Sequence, residues 1–203
     1  MPDQIFETII TTRSHAGVVH VAPMGVRYVG EQVLLKPFKP STTLDNILAL
    51  GTAVLNLVTD VRVFAGCVTD RRDWPTEPAL ASDLDQSPEP LRLSCAFGHR
   101  VLRLVERRDD PQRPDLWMAQ GPQVQHAAFR GFNRAQAAVI EGAVLVSRLH
   151  LLPAEKIDTE MQYLQIAIEK TAGPDELQAW EWLQQAVAQH RSSMSMTSPG
   201  AAS

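Results

Sequence analysis

Lys36, Pro37, Phe38, Lys39, Pro40, Ser41, Thr42, Thr43, Leu44, Asp45 and Asn46 run consecutively. They set two ammonium groups and three hydroxyls just ahead of an apolar helical pattern, Leu44, Ile47 and Leu48. The first turn of a helix carries N–H groups without intrahelical partners and a partial positive charge. A phosphate placed there gains amide and hydroxyl hydrogen bonds together with Coulomb attraction. The same residues also suit an ordinary N-cap flanked by surface lysines, so the pattern leaves both readings open. A second segment, His20, Val21, Ala22, Pro23, Met24, Gly25 and Val26, interrupts a strand pattern twice. Pro23 lacks an N–H and Gly25 lacks a side chain. A flat ring can lie against such exposed backbone; a bulge at a sheet edge or barrel corner is the alternative.

Other chemistries find no support. His15, His20, His99, His126, His150 and His190 show neither His-x-x-x-His nor His-Glu-x-x-His spacing, so no metal site is expected. There is no Gly-x-Ser-x-Gly elbow, no Walker A sequence and no Gly-x-Gly-x-x-Gly. Cys67 and Cys95 lie far apart, which disfavours a disulfide framework and points to a reducing compartment with two buried thiols. Net charge is −4, and the clusters around Arg71–Arg72 and Glu106–Asp110 mix both signs, so they read as solvated loops and not as a nucleic-acid surface. The uncharged stretch 46–59 is too short for a membrane span of ~20 residues. The first residues lack the basic and apolar regions of a signal peptide. A cytoplasmic protein with neither membrane nor nucleic-acid partner is expected.

These segments need elements to hold them. With 203 residues, 44% apolar and 21% charged, the chain is globular, as one domain with an appendage or two small ones. Ile5 to Thr12, a turn at residues 14–17, and residues 18–29 read as a hairpin. Residues 33–35 form a further strand, and Pro37 and Pro40 end regular pairing. Ser41 to Gly51 suits a short helix with a hydroxyl cap and a glycine stop. Residues 53–58, 92–106 and 116–124 suit strands, with polar loops at 69–90 and 107–114. Three apolar faces at three- and four-residue steps follow: Ala135 to Leu149, Ile157 to Ile168 and Leu177 to Val187. The expected class is α+β: an antiparallel split β-barrel region at 1–130, a helical region at 131–190, and a disordered tail at 191–203.

Taken in order, residues 7–12, 20–26, 36–46 and 56–60 resemble the FMN-binding split-barrel fold. They look most like a family described as uncharacterised in methanogenic archaea, whose bacterial members are associated with the tetrahydromethanopterin one-carbon pathway. Residues 132–141 and 169–173 resemble that family's helical part. The resemblance implies a homodimer with FMN in a groove at or near the subunit interface. Lys36 and Lys39 would supply charge to the phosphate, Ser41, Thr42 and Thr43 hydroxyl or backbone donors, and Asn46 a contact from inside the helix. The ring would lie along Ala22, Pro23, Met24, Gly25 and Val26. Thr11, Thr12 and Asn56 would contribute from neighbouring strands. Asn133 and Arg134 either face the same groove or cap their helix. The function implied is an FMN-dependent oxidoreductase of pterin-linked metabolism, dihydropterin reduction included. The alternatives are a non-enzymatic FMN-binding or assembly protein of that pathway, or a barrel holding haem or a deazaflavin. No catalytic acid or base is assigned, and a lid role for loop 69–90 is open.

Overall fold

A computed structural model of the chain describes residues 4–79 and 88–197. Two units pack within it: Met1–Thr59 with Arg72–Arg130, and Asp60–Arg71 with Gly131–Ser203.

The first unit begins with β1 (Phe6–Arg13) and β2 (Val19–Val29). The turn between them is closed by Gly17 N–H on Ser14 O at 2.9 Å and Ser14 N–H on Val18 O at 3.0 Å. Gly17 takes φ 82, a left-handed conformation that glycine adopts without penalty. The β1–β2 register runs unbroken from Phe6↔Val26 to Arg13↔Val19, so there is no bulge at Gly25. A Cβ on Gly25 would meet Ile5 Cγ2 at 2.6 Å, and this close approach accounts for the glycine.

Then come β3 (Gln32–Leu35), α1 (Thr42–Leu50), β4 (Thr52–Leu57), β5 (Thr76–Pro78), β6 (Leu91–Leu93), β7 (Gly98–Arg108), β8 (Asp115–Gln120) and β9 (Val124–Gln125). Strand order β4-β1-β2-β3-β8-β7, with β4 also paired to β7, closes a six-stranded antiparallel barrel. Ile10, Val26, Val33, Leu35, Leu55, Leu102, Leu116 and Met118 fill its interior, and α1 adds Leu44 and Ile47 to the same core. Neighbouring strand residues face opposite sides. Val54 and Val101 therefore point outward, where Ala79 packs on them beside the β5–β6 pair. The expected strands 92–106 and 116–124 are each divided, by a turn at residues 94–97 and a break at 121–123. Loop 69–90 contains β5; its residues 80–87, and with them the idea of a lid, lie outside the described residues.

The second unit holds α2 (Arg62–Val68), α3 (Arg134–Val146), α4 (Ala154–Thr171) and α5 (Pro174–Thr197). α2 has no counterpart among the expected elements. Residues 63–67 are all buried, so it shows no polar face to mark a helix. It also carries residues 60–71 into the helical unit, away from the boundary expected at residue 130. The Glu176 carboxylate accepts Gly173 N–H at 2.9 Å, half of a capping box that starts α5. α5 continues past Arg191, the expected start of a disordered tail, because no helix breaker precedes Pro199. Residues 198–203 lie outside the described residues. Cys67 is buried as expected, but Cys95, in the 94–97 turn, is exposed. Among the described residues, no helix is long and apolar enough to cross a membrane.

Candidate functional site

The start of α1 forms as its sequence suggests. Ser41 is the N-cap, its Oγ accepting Leu44 N–H at 3.3 Å and its carbonyl accepting Asp45 N–H at 3.0 Å. Gly51 stops the helix at φ 70. Among the described residues, the N–H groups of Thr42 and Thr43 have no acceptor, and neither hydroxyl makes a hydrogen bond. Thr42 is exposed and Thr43 buried. The helix start thus carries two unpaired amides and two unpaired hydroxyls, one on exposed Thr42 and one on buried Thr43, with a partial positive charge behind them.

The lysines differ from expectation. Lys36 Nζ is paired with Asp115 Oδ1 of β8 at 2.7 Å, so its charge is compensated within the protein. Lys39 is exposed, its backbone N–H donating to Gln112 O at 2.8 Å. Arg113, in the polar loop before β8, joins this segment only through the fold. Its guanidinium lies 4.3 Å from the centre of the exposed Phe38 ring and donates to Lys36 O through Nε at 3.3 Å and Nη2 at 3.1 Å. Asp110 Oδ1 shapes this loop by accepting Arg113 N–H at 2.7 Å and Gln112 N–H at 2.9 Å. Those bonds, with Lys36 nearby, hold the Asp110 carboxyl below the usual carboxylate range.

The second segment lies at a sheet edge. Pro23 stands opposite Ile9 and cannot donate, so its hydrogen-bonding side faces away from β1. Alternation along the strand turns the Gly25 N–H to that same side. β3 pairs with β2 only from Val26 onward, so among the described residues no strand covers residues 19–25 there. Ala22, Pro23, Met24 and Gly25 are half-buried along this edge, and Val26 is fully buried in the core.

The structure separates the remaining expected residues. Thr12 shares the face of Ile10, and its Oγ1 accepts from Asn46 Nδ2 at 3.0 Å, which fastens α1 to β1. Thr11 points the other way. Its Oγ1 donates to Leu91 O at 2.5 Å and accepts from Asn56 Nδ2 at 3.2 Å. Asn56 is fully buried, donating also to Ile9 O and Val54 O and accepting Leu93 N–H at 2.8 Å. Thr11 and Asn56 therefore tie β6 to the outer wall of the barrel and have no polar atom left for a ligand. Asn133 caps α3: Oδ1 accepts Ala135 N–H at 2.7 Å and Nδ2 donates to Thr171 O at 3.0 Å. Arg134 is exposed in the next position.

Three histidines gain context from packing. His20 stands opposite Thr12. Burial, and secondarily the Arg72 charge, push its pKa below the ordinary value of 6.5. His99, fully buried on β7, stacks with His126, with Nδ1 2.8 Å from His126 Nε2. His126 is also shifted down, by desolvation first and then by Arg92, against an opposing effect of Glu77. Both shifts disfavour the charged imidazole in the folded state. The unfolded chain therefore binds more protons just below pH 6.5, and stability falls as pH drops through that value. The melting temperature is expected to decline from about pH 7.5 to about pH 5.5, and to decline less in His20→Gln. An equal decline in that variant would remove His20 from the account.

A family model described as "Protein of unknown function (DUF447) N-terminal domain" matches residues 6–121, and one described as "Protein of unknown function (DUF447)" matches residues 133–185. The chain belongs to the DUF447 family. This DUF447 chain is 24% identical over 151 residues to the uncharacterized protein MJ1453 of Methanocaldococcus jannaschii, across 71% of the chain and 74% of that relative. The FMN-bound DUF447 protein MM1853 of Methanosarcina mazei superposes with a TM-score of 0.76 at 22% identity, covering 91% of this chain and 95% of that one. A putative flavin reductase with a split barrel domain from Shewanella frigidimarina superposes with a TM-score of 0.48 at 13% identity, over 61% and 67% of the two chains. The DUF447 fold is an α+β split barrel with a helical unit.

Proposed function

We propose that this DUF447 protein is an FMN-binding flavoprotein that anchors the phosphate on the first turn of α1. The observation that carries the reading is the donor set there: two amides and two hydroxyls without protein acceptors, at the positive end of a helix, with Lys39 exposed close by in sequence. Donors without acceptors fit an anion. That MM1853, of the same family and fold, is FMN-bound supports the choice of ligand. The uncovered edge of β2 at residues 22–25 offers backbone groups to the rim of a planar ring. Asn46 acts indirectly, holding α1 in place through Thr12.

Bound FMN supplies hydride and one-electron chemistry, so oxidoreductase activity follows for any partner that reaches the ring. The residues described here bind and orient; half-buried His20, on the same face of β2 as Ala22 and Met24, is an ionisable group close by in the strand. We place a second copy of the chain near this edge. Ile5, Phe6 and Tyr28 leave an exposed apolar cluster there, with the Phe6 and Tyr28 rings edge to face at 5.4 Å. Light scattering that gave a monomer mass would reject the homodimer. The motif resemblance supports a dihydropterin as the oxidised partner in tetrahydromethanopterin-linked metabolism. Photoreduced protein mixed with a dihydropterin under anaerobic conditions tests this: no reoxidation discards the substrate and leaves the cofactor.

The cofactor itself is tested by titrating FMN into wild type and into Thr42→Ala/Thr43→Ala. Loss of both hydroxyls is expected to weaken FMN binding about a hundredfold or more, because hydrogen bonds to a charged phosphate contribute ~1.5–3 kcal/mol each. Neither threonine is the N-cap, so the melting temperature should change little. Equal affinities in the two proteins would move the phosphate elsewhere.

A further inference from the structure

Resting on the FMN reading, we infer that Arg113 is a phosphate-reading residue, and that it makes the site selective for a phosphorylated flavin over riboflavin. The argument begins with charge. An FMN phosphate carries about −1.5 to −2 near neutral pH, as phosphate monoesters do. The helix end offers about half a positive charge. Lys36, the first cation expected from the sequence, is held by Asp115. Lys39 and the helix end together offer about +1.5, which matches only the lower end of that charge, and a second cation completes the balance for the fully ionised phosphate.

Arg113 is the cation that the fold brings to the segment leading into α1. Its loop is bonded twice to the segment leading into α1, through Arg113 to Lys36 O and through Lys39 N–H to Gln112 O. The guanidinium has little freedom to swing away. Phe38 supports its plane at 4.3 Å, and Nε and Nη2 share one carbonyl. Nη1 has no acceptor among the described residues. A guanidinium fixed on two sides and open on the third loses little freedom on meeting a phosphate oxygen, which suits Arg better than a mobile Lys. Asp110 Oδ1 accepts backbone N–H groups of the loop, and among the described residues no ion pair joins this carboxylate to the Arg113 guanidinium.

The test compares FMN and riboflavin, which differ only in the phosphate, on wild type, Arg113→Ala and Arg113→Lys, with affinities read from flavin fluorescence. Wild type is expected to prefer FMN strongly. Arg113→Ala should reduce that preference about 10- to 100-fold while riboflavin affinity stays within about twofold, as the loss of one charge-assisted hydrogen bond implies. Arg113→Lys should recover part of the preference. An unchanged FMN-to-riboflavin ratio in Arg113→Ala would overturn the inference. So would an equal loss for both flavins, which would mean that Arg113 only shapes residues 36–40. Wild-type protein that bound neither flavin would reject the FMN reading itself, and this inference with it.

Discussion

Asn56→Ala is expected to lower the unfolding free energy of the flavin-free protein by about 3 kcal/mol, with affinity for FMN in the folded fraction unchanged within about twofold. The side chain is fully buried and its amide is satisfied on both ends. Truncation leaves Leu93 N–H without its acceptor, removes the donor to Thr11 Oγ1, Ile9 O and Val54 O, and opens a small cavity. For a chain of this length the melting temperature should fall by roughly 5–10 °C. Urea titration and FMN titration of the same preparation separate the two roles. Normal stability with lost FMN binding would return Asn56 to the ligand site that its motif suggested. The physical reason to expect otherwise is direction. Thr11 and Asn56 lie on the outward face of the barrel, under β6, whereas Thr12 and Asn46 meet on the face of Ile10, where α1 packs.

Gly142→Val is expected to cost about 2–3 kcal/mol, through crowding in the helical unit. A Cβ at this position of α3 would lie 2.9 Å from Trp180 Cζ3 and 3.0 Å from Leu183 Cδ1. Neither neighbour can move cheaply. Both are buried on α5, and the Trp180 indole N–H is bonded to Gln165 Oε1 of α4 at 2.6 Å. Gly142→Ala should cost less, because alanine regains about 1 kcal/mol of helix propensity against a smaller clash. Thermal melts of both variants, ordered wild type, Ala, Val from highest to lowest, are the expected result. A Val variant as stable as wild type would show that α3 and α5 are less closely packed than described.

Much of the barrel was legible in the chain because it rests on local signals. The 14–17 turn, the Ser41 cap, the Gly51 stop and the three C-terminal apolar stripes each occupy a short window, and each formed where its residues favour it. The amide-rich mouth of α1 belongs to this class, since a hydroxyl cap beside an apolar period sets it up regardless of distant sequence. α2 was not legible, because an element buried all round has no periodic contrast.

What the sequence determined alone was therefore the elements and a hydroxyl-rich, capped helix start. Tertiary structure decided which side chains stay available to it. Lys36 meets Asp115, Asn56 meets Leu93, His99 meets His126 and Arg113 meets Lys36, across separations of 27 to 79 residues. Such partnerships follow from strand order and register. Closing β4 onto β7 and β3 onto β8 brings β8 and the loop before it to the segment that leads into α1. Composition and spacing carry no record of that closure, because any lysine or asparagine in the same local pattern reads alike until a distant strand supplies, or fails to supply, its partner.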